Sequence, residues 1–224
     1  MLSIVLSYFR QAEALAWQLE FLREFPNDKF QLVLVDDASG DEVAHELLSA
    51  SPIKSKLITI LDEVPWNIPG SRNWGMVFAD GAVCLRTDID HRPTERTMAW
   101  LLGLNLAKAE VLSFGRVSAS GERLSPHTDS FALRKEDYWE IGGYDENLSG
   151  AYGQNAKDFL ARASGRLQIQ AAPYDLVLRS DFISEGGSRS LSRNRRLLRR
   201  LNRKGRGRRI LRLATNISVQ EFNG

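Results

Sequence analysis

The first half of the chain alternates short apolar, β-branched runs with segments whose apolar residues recur at helical spacing, and this alternation restricts the fold more than any other feature. Residues 2–7, 31–35, 56–60, 82–87 and 110–114 read as strands, with helices over 11–25, 41–48, 71–79 and 93–107. In the first helix Leu15, Leu19, Leu22 and Phe25 share a face, and Pro26-Asn27-Asp28 ends it. Residues 65–70 read as a turn-rich loop. Strands that return through helices to parallel neighbours give an α/β fold with a mostly parallel central sheet and helices on both faces. After Gly115 the segments shorten, with an extended stretch over 130–133 and helices over 135–141 and 155–163, so the second half is expected to be mixed and packed on the same sheet. Residues 180–192, with Gly186-Gly187 and five serines, have the composition of a mobile loop.

Two of the strand runs end in acids: Val33-Leu34-Val35-Asp36-Asp37 and Val83-Cys84-Leu85-Arg86-Thr87-Asp88-Ile89-Asp90. In an open α/β sheet ligands bind beyond the carboxyl ends of the strands. Asp88 and Asp90, two residues apart, point the same way in an extended segment and can share a hard divalent cation or its water shell. The alternative is a polar strand end capped by two solvated acids. His91 is a metal ligand, an orienter of the metal site or a strand-end surface residue; His127 precedes Thr128-Asp129 near a predicted strand; His45 is a solvated helix residue. Cys84 is the only cysteine, which excludes an internal disulfide and argues against a cysteine-based zinc site.

With 224 residues the chain suits one α/β domain. No apolar run approaches the roughly 20 residues of a membrane span, and the start lacks the basic segment and apolar core of a signal peptide, so a cytoplasmic protein is expected, with the inner membrane face as a peripheral location. The near-neutral net charge hides an asymmetry: residues 189–224 hold 12 of the 30 basic groups and only Glu221 of the 28 acids, leaving −9 upstream and +11 downstream. Over 193–212 arginines interleave with Leu197, Leu198, Leu201, Ile210 and Leu211, as in a basic helix broken near Gly205-Arg206-Gly207. Such a segment suits an anionic membrane surface, nucleic-acid phosphates, or packing against the acidic body.

The order of several landmarks resembles the GT-A-fold glycosyltransferases of family 2 type: Ser7-Tyr8, Val35-Asp36-Asp37-Ala38-Ser39-Gly40-Asp41, Gly70-Ser71-Arg72-Asn73-Trp74-Gly75, Thr87-Asp88-Ile89-Asp90 and Ile141-Gly142-Gly143-Tyr144-Asp145-Glu146. The resemblance implies a Rossmann-like GT-A catalytic domain over 1–180, with a nucleotide-binding half to about 114 and an acceptor half beyond it, then a loop over 181–192 and a basic helical tail over 193–224. It further implies metal-dependent, inverting transfer from a nucleoside-diphosphate sugar, UDP first among the nucleotides, to a glycan or glycolipid of a bacterial surface. Ser7, Asp36, Asp37, Arg72 and Asp88 would meet the donor nucleotide; Asp88 and Asp90 would hold Mn2+ or Mg2+, with His91 or Asp181 as further ligands; Gly143, Tyr144 and Asp145 would lie beneath the sugar and acceptor. Carboxylates accept hydrogen bonds from ribose hydroxyls or a base N–H, whereas a diphosphate is repelled unless a cation intervenes. Arg72 would face a phosphate, or pair with Asp80 at the surface. Trp66 and Trp74 pack, or stack on a base or sugar; Arg189, Arg193 and Lys204 are further phosphate candidates.

One departure stands out. Where the family pattern expects an acidic pair after an aromatic-Gly step, here Tyr152-Gly153, the chain has Asn155 and Ala156. An amide cannot deprotonate an acceptor hydroxyl near neutral pH. Asp158, on the same helical face, is the nearest substitute for the general base, or else pairs with Arg162 at i+4. Two further readings remain open: a noncatalytic sugar-nucleotide-binding module, and a nucleic-acid-binding protein led by its tail.

Overall fold

A computed structural model of the chain describes residues 1–181, 189–203 and 216–223. The elements run β1 (Leu2–Tyr8), α1 (Ala12–Leu22), β2 (Phe30–Asp37), α2 (Val43–Ser49), β3 (Ser55–Ile60), α3 (Ile68–Phe78), β4 (Val83–Arg86), β5 (His91–Pro93), α4 (Glu95–Leu102), β6 (Glu110–Ser113), β7 (Arg116–Ser118), β8 (Arg123–Leu124), β9 (Phe131–Arg134) and α5 (Lys135–Glu140). A 3-10 turn over Glu146–Leu148 precedes α6 (Asn155–Ala163), β10 (Gln168–Ala171), β11 (Leu176–Leu178), α7 (Ser192–Arg203) and β12 (Ile217–Phe222).

Eight strands form the central sheet in the order β10-β6-β9-β4-β1-β2-β3-β12, and β5-β11-β7-β8 form a smaller one. β1 pairs in parallel with both β2 and β4, and β2 with β3, while β9 and β12 enter antiparallel. The chain thus leaves β1 on one side toward β2 and β3 and returns on the other to β4. This is a topological switch point, where an open α/β sheet leaves a crevice at its carboxyl edge.

Alternation along the strands builds two cores. Leu2, Ile4 and Leu6 with Leu32 and Leu34 meet Leu15, Leu19 and Leu48 of α1 and α2 on one face. Val5, Val33, Val35 and Ile58 meet Met76, Tyr138 and Phe159 of α3, α5 and α6 on the other. Period-2 side-chain direction sends each set to its own side, and helices cover both faces as expected.

Three segments differ from the sequence expectation. α3 begins at Ile68 rather than 71, because Pro69 occupies the first turn, where its missing N–H costs nothing. α4 begins only after Thr94, whose side chain accepts from the Thr97 N–H, because His91–Pro93 is drawn into a strand beside β11. Of the tail expected to be helical over 193–224, the described residues are helical in α7, whereas residues 217–222 form β12, paired antiparallel along all of β3. Lys204, the break near Gly205 and most of the expected mobile loop lie outside the described residues. No described helix is long and apolar enough to cross a membrane.

Candidate active site

A cavity of about 440 Å3 opens at the carboxyl ends of β1 and β4. β1 contributes Ser7 and Tyr8, α3 contributes Arg72, and the segment after β4 contributes Asp88, Ile89 and Asp90. The small sheet adds His91, Arg116 and Leu178, and Trp66, His127, Tyr152 and Arg189 are among the other lining residues. Trp66 and Tyr152 meet edge to face at 4.9 Å. Trp66 takes a left-handed backbone, φ +53°, a conformation that costs a bulky residue on the order of 1–3 kcal/mol and persists where the surroundings enforce it.

Behind the cavity lies a buried charge network. Arg86, inside β4 and 1% exposed, lies two residues before Asp88 and so reaches the same side. Asp88 Oδ1 accepts from Nη2 of Arg72 at 2.8 Å and from Nη2 of Arg86 at 2.9 Å. Asp129 pairs with both guanidiniums and accepts from the Tyr144 hydroxyl. Two cations and two acids therefore balance, with Asp88 alone partly open to the cavity, the arrangement in which a buried charge is tolerated. Burial alone would raise the Asp88 pKa; Arg72 and Arg86 outweigh it and hold the carboxyl well below the usual carboxylate range. The surface pairing of Arg72 with Asp80 does not form, since Asp80 pairs with Lys56 and accepts from Gln31.

The second acid is held differently. His91 Nδ1 lies 2.6 Å from Asp90 Oδ1, and its other ring nitrogen lies 3.3 Å from Arg116 Nη1. His91 stacks on His127 at 4.3 Å, and His127 Nε2 lies 3.4 Å from Asp88 Oδ2. Burial lowers the His127 pKa, against the pull of Asp88. For a divalent cation the donor set is therefore thin: Asp88 is committed to two arginines and the imidazoles to their own partners, and no cluster of three or more His, Cys, Asp or Glu suits a metal among the described residues. Asp90 Oδ2, which accepts no hydrogen bond among the described residues, fits an ion that takes one protein carboxylate and completes its shell from water and ligand oxygens. Asp181 is exposed and paired with Arg179, outside the cavity lining.

The acids expected on the donor side, Asp36 and Asp37, sit beside the cavity rather than in its lining. Asp36 accepts from the Ser39 N–H at 3.0 Å and shapes the turn through Ala38, φ +60°. Asp37 accepts from Asn67 Nδ2 at 3.0 Å, and burial pushes its pKa up to about 7. Tyr8, paired in register with Asp36, keeps a buried hydroxyl without a hydrogen-bond partner among the described residues, and burial raises it to about 12. Ser7 exchanges a hydrogen bond with Ser71 at 2.8 Å.

The expected sugar-side residues support the site from behind. Tyr144 is fully buried, with its ring under Arg72 and Arg86. Asp145 caps the 3-10 turn by accepting from the Asn147 N–H. Gly143, φ +60°, lies where a Cβ would come 2.7 Å from Asn73 Oδ1, so only glycine fits. Asn73 is wholly buried: its Oδ1 accepts from the Tyr138 hydroxyl and the Tyr144 N–H, and its Nδ2 donates to Tyr144 O and Glu146. Asp158, expected as the base, is 5% exposed and accepts from Arg162 Nε at 2.7 Å, while the rest of that guanidinium donates to the carbonyls of Ile141 and Gly143. The structure thus places Asp158 in the i, i+4 pair and not in the cavity lining. Asn155 is likewise buried outside it. Trp74 stacks on Phe78, and His45 is half-buried against Phe222.

Arg86, Asp129 and Arg116 were not anticipated as site residues. Arg86 was marked by a charge inside an apolar strand two residues before an acid; Asp129 and Arg116 carry no local signal, since β9 and the small sheet bring them in from afar.

Solved structures share this architecture at low identity. A mannosyltransferase of Pyrobaculum calidifontis, in complex with GDP-Man and Mn2+, superposes with a TM-score of 0.62 at 16% identity, over 83% of this chain and 58% of that one. S. aureus TarS 1-349, in complex with UDP-GlcNAc, gives 0.65 at 14% identity, over 84% and 61%. The catalytic domain of Drosophila beta1,4galactosyltransferase 7, in complex with xylobiose, gives 0.53 at 13% identity, over 84% and 71%. The chain spans about three fifths of the first two, and at these identities the likeness shows the GT-A fold alone. A comparison with curated proteins gives no match. The family model described as Glycosyl transferase family 2 matches residues 3–162, most of the chain and every element from β1 to α6, and on that match the chain belongs to glycosyltransferase family 2.

Proposed function

We propose that the chain transfers a sugar, with inversion, from a nucleoside-diphosphate donor in the 440 Å3 cavity to a hydroxyl of a glycan or glycolipid, with a divalent cation on Asp90. The observation that carries this reading is the cavity itself, placed at the β1/β4 switch point of a family 2 chain and presenting Asp90 beside arginines. Arg72 and Arg86 hold Asp88 in place, so the acid reaches the ligand as a fixed acceptor for a ribose hydroxyl. Arg116 and Arg189 supply positive charge for phosphate. Asp37, beside the cavity, offers an acceptor to the nucleoside. When bound, Mn2+ or Mg2+ supplies charge that stabilises the departing diphosphate. The complexes of the fold relatives with GDP-Man and Mn2+ and with UDP-GlcNAc support the donor class and leave the base to be measured.

One observation favours a second reading, a sugar-nucleotide-binding module without turnover: Asn155 replaces the expected acid, and Asp158 is occupied by Arg162. A single series tests both. Thermal shifts are measured with UDP, GDP, CDP and dTDP, with and without Mn2+, on the wild type and Asp90→Ala, followed by donor hydrolysis. At about 100 times the dissociation constant a ligand stabilises by roughly 2.7 kcal/mol, a rise of several degrees in Tm. The expected result is a metal-dependent rise with one nucleotide, absent in Asp90→Ala, together with hydrolysis of the matching sugar donor. No rise with any nucleotide overturns the donor site; a rise without turnover establishes the module.

A further inference from the structure

Helix α7 reads Ser-Arg-Asn-Arg-Arg-Leu-Leu-Arg-Arg-Leu-Asn-Arg, without an acid. At about 100° per residue, Arg195, Arg196, Arg199 and Arg200 fall on one continuous arc, and Asn194, Leu197, Leu198 and Leu201 on the opposite one. Burial follows the arcs: the four arginines are exposed, the leucines half-buried and Asn194 fully buried. Asn194 Nδ2 donates to the carbonyls of Leu148, Ala151 and Gly153 at 2.8 to 2.9 Å, and Arg193 donates to Ser149 O at 3.0 Å. These bonds fasten the first turn of α7 to the segment before α6 and turn the arginine arc outward.

None of the four arginines on that arc has a carboxylate partner among the described residues. They lie within roughly 8 Å along the axis, and such a concentration of exposed positive charge attracts a surface of opposite charge. The arc also has a fixed relation to the cavity. Arg189, three residues before the helix, lines it and lies 6.0 Å from the ring centre of Tyr152, another lining residue.

We propose that this face docks the protein on an anionic lipid surface, so that the cavity opens beside the membrane–water interface. The proposal deepens the reading above by naming a membrane-borne acceptor, and rests on that reading only there. Lipid phosphate is favoured over nucleic acid because α7 has no aromatic ring on which bases could stack, while its outward arginine arc matches the charge of a flat anionic surface.

The test is flotation of the full chain with phosphatidylcholine vesicles, with and without phosphatidylglycerol, at physiological ionic strength. The wild type is expected to float only with the anionic vesicles. Replacing Arg195, Arg196, Arg199 and Arg200 together by Gln is expected to lower the partition coefficient by roughly several hundredfold, from about fivefold per basic group, while Tm and the nucleotide-induced shift stay unchanged. Equal flotation of the wild type with both vesicle types overturns the proposal without any variant. So does a folded variant that still floats, or wild-type binding to single-stranded RNA that displaces it from the anionic vesicles. The nucleotide shift is read on the same samples, so failure to dock and failure of the donor site are told apart.

Discussion

At the scale of single residues, two acids at the carboxyl edge of the sheet show how burial and charge divide the labour. Asp88 is held ionised by Arg72 and Arg86, whereas Asp37 meets only the amide of Asn67 and the charge of Asp36, and burial pushes it up to about 7. The unfolded value is roughly 3.9. Between these two values the folded chain keeps a proton that the unfolded chain has released, so the Asp37 contribution to stability falls as pH rises from about 4 to about 7 and stays lost above that. Asp37→Asn removes the ionisation and keeps an acceptor for Asn67. The variant is expected to melt above the wild type at pH 8, with the gap closing toward pH 4; a wild type that melts higher at pH 8 contradicts this account.

At the scale of elements, α3 and the turn after α5 act as one unit because Asn73 joins them. Asn73→Ala leaves the Tyr138 hydroxyl and the Tyr144 N–H without an acceptor in a buried place. At about 1–3 kcal/mol for each unsatisfied group, the loss is expected to be on the order of 2–5 kcal/mol, read from the urea midpoint at constant m. A change under 1 kcal/mol would mean that the turn relaxes to find other partners. The same turn supports Arg72 and Arg86 through the Tyr144 ring, so loosening it reaches the cavity without touching a lining residue.

At the scale of the whole molecule, β12 adds an antiparallel strand beyond β3 at one edge of the central sheet. β12 pairs with six residues of β3 and covers an edge that would otherwise present free N–H and C=O groups. Glu221 pairs with Lys56, and Phe222 packs against His45. A chain ending at residue 215 is expected to melt lower and to self-associate, as read by light scattering. A monomeric truncated chain with unchanged Tm would show that β12 is dispensable.

The sequence by itself determined the alternation of strands and helices, the mostly parallel α/β fold, the two acidic strand ends and the family, because these rest on local periodicity and on motifs in fixed order. Val5 and Leu6 already announce two cores by facing opposite ways. Only the tertiary structure decided the fate of individual charges. Asp158 and Arg162 have the same spacing whether their helix faces solvent or a core, and packing against the Ile141–Gly143 carbonyls made them a buried pair. Asp129 lies 43 residues from Arg86, and no local pattern links them. β12 reads as part of a basic tail until its pairing with β3 is seen. Residue types carry the chemistry, but burial and long-range partners set which acid keeps its charge and which one faces a ligand, and those depend on contacts between segments far apart in the chain.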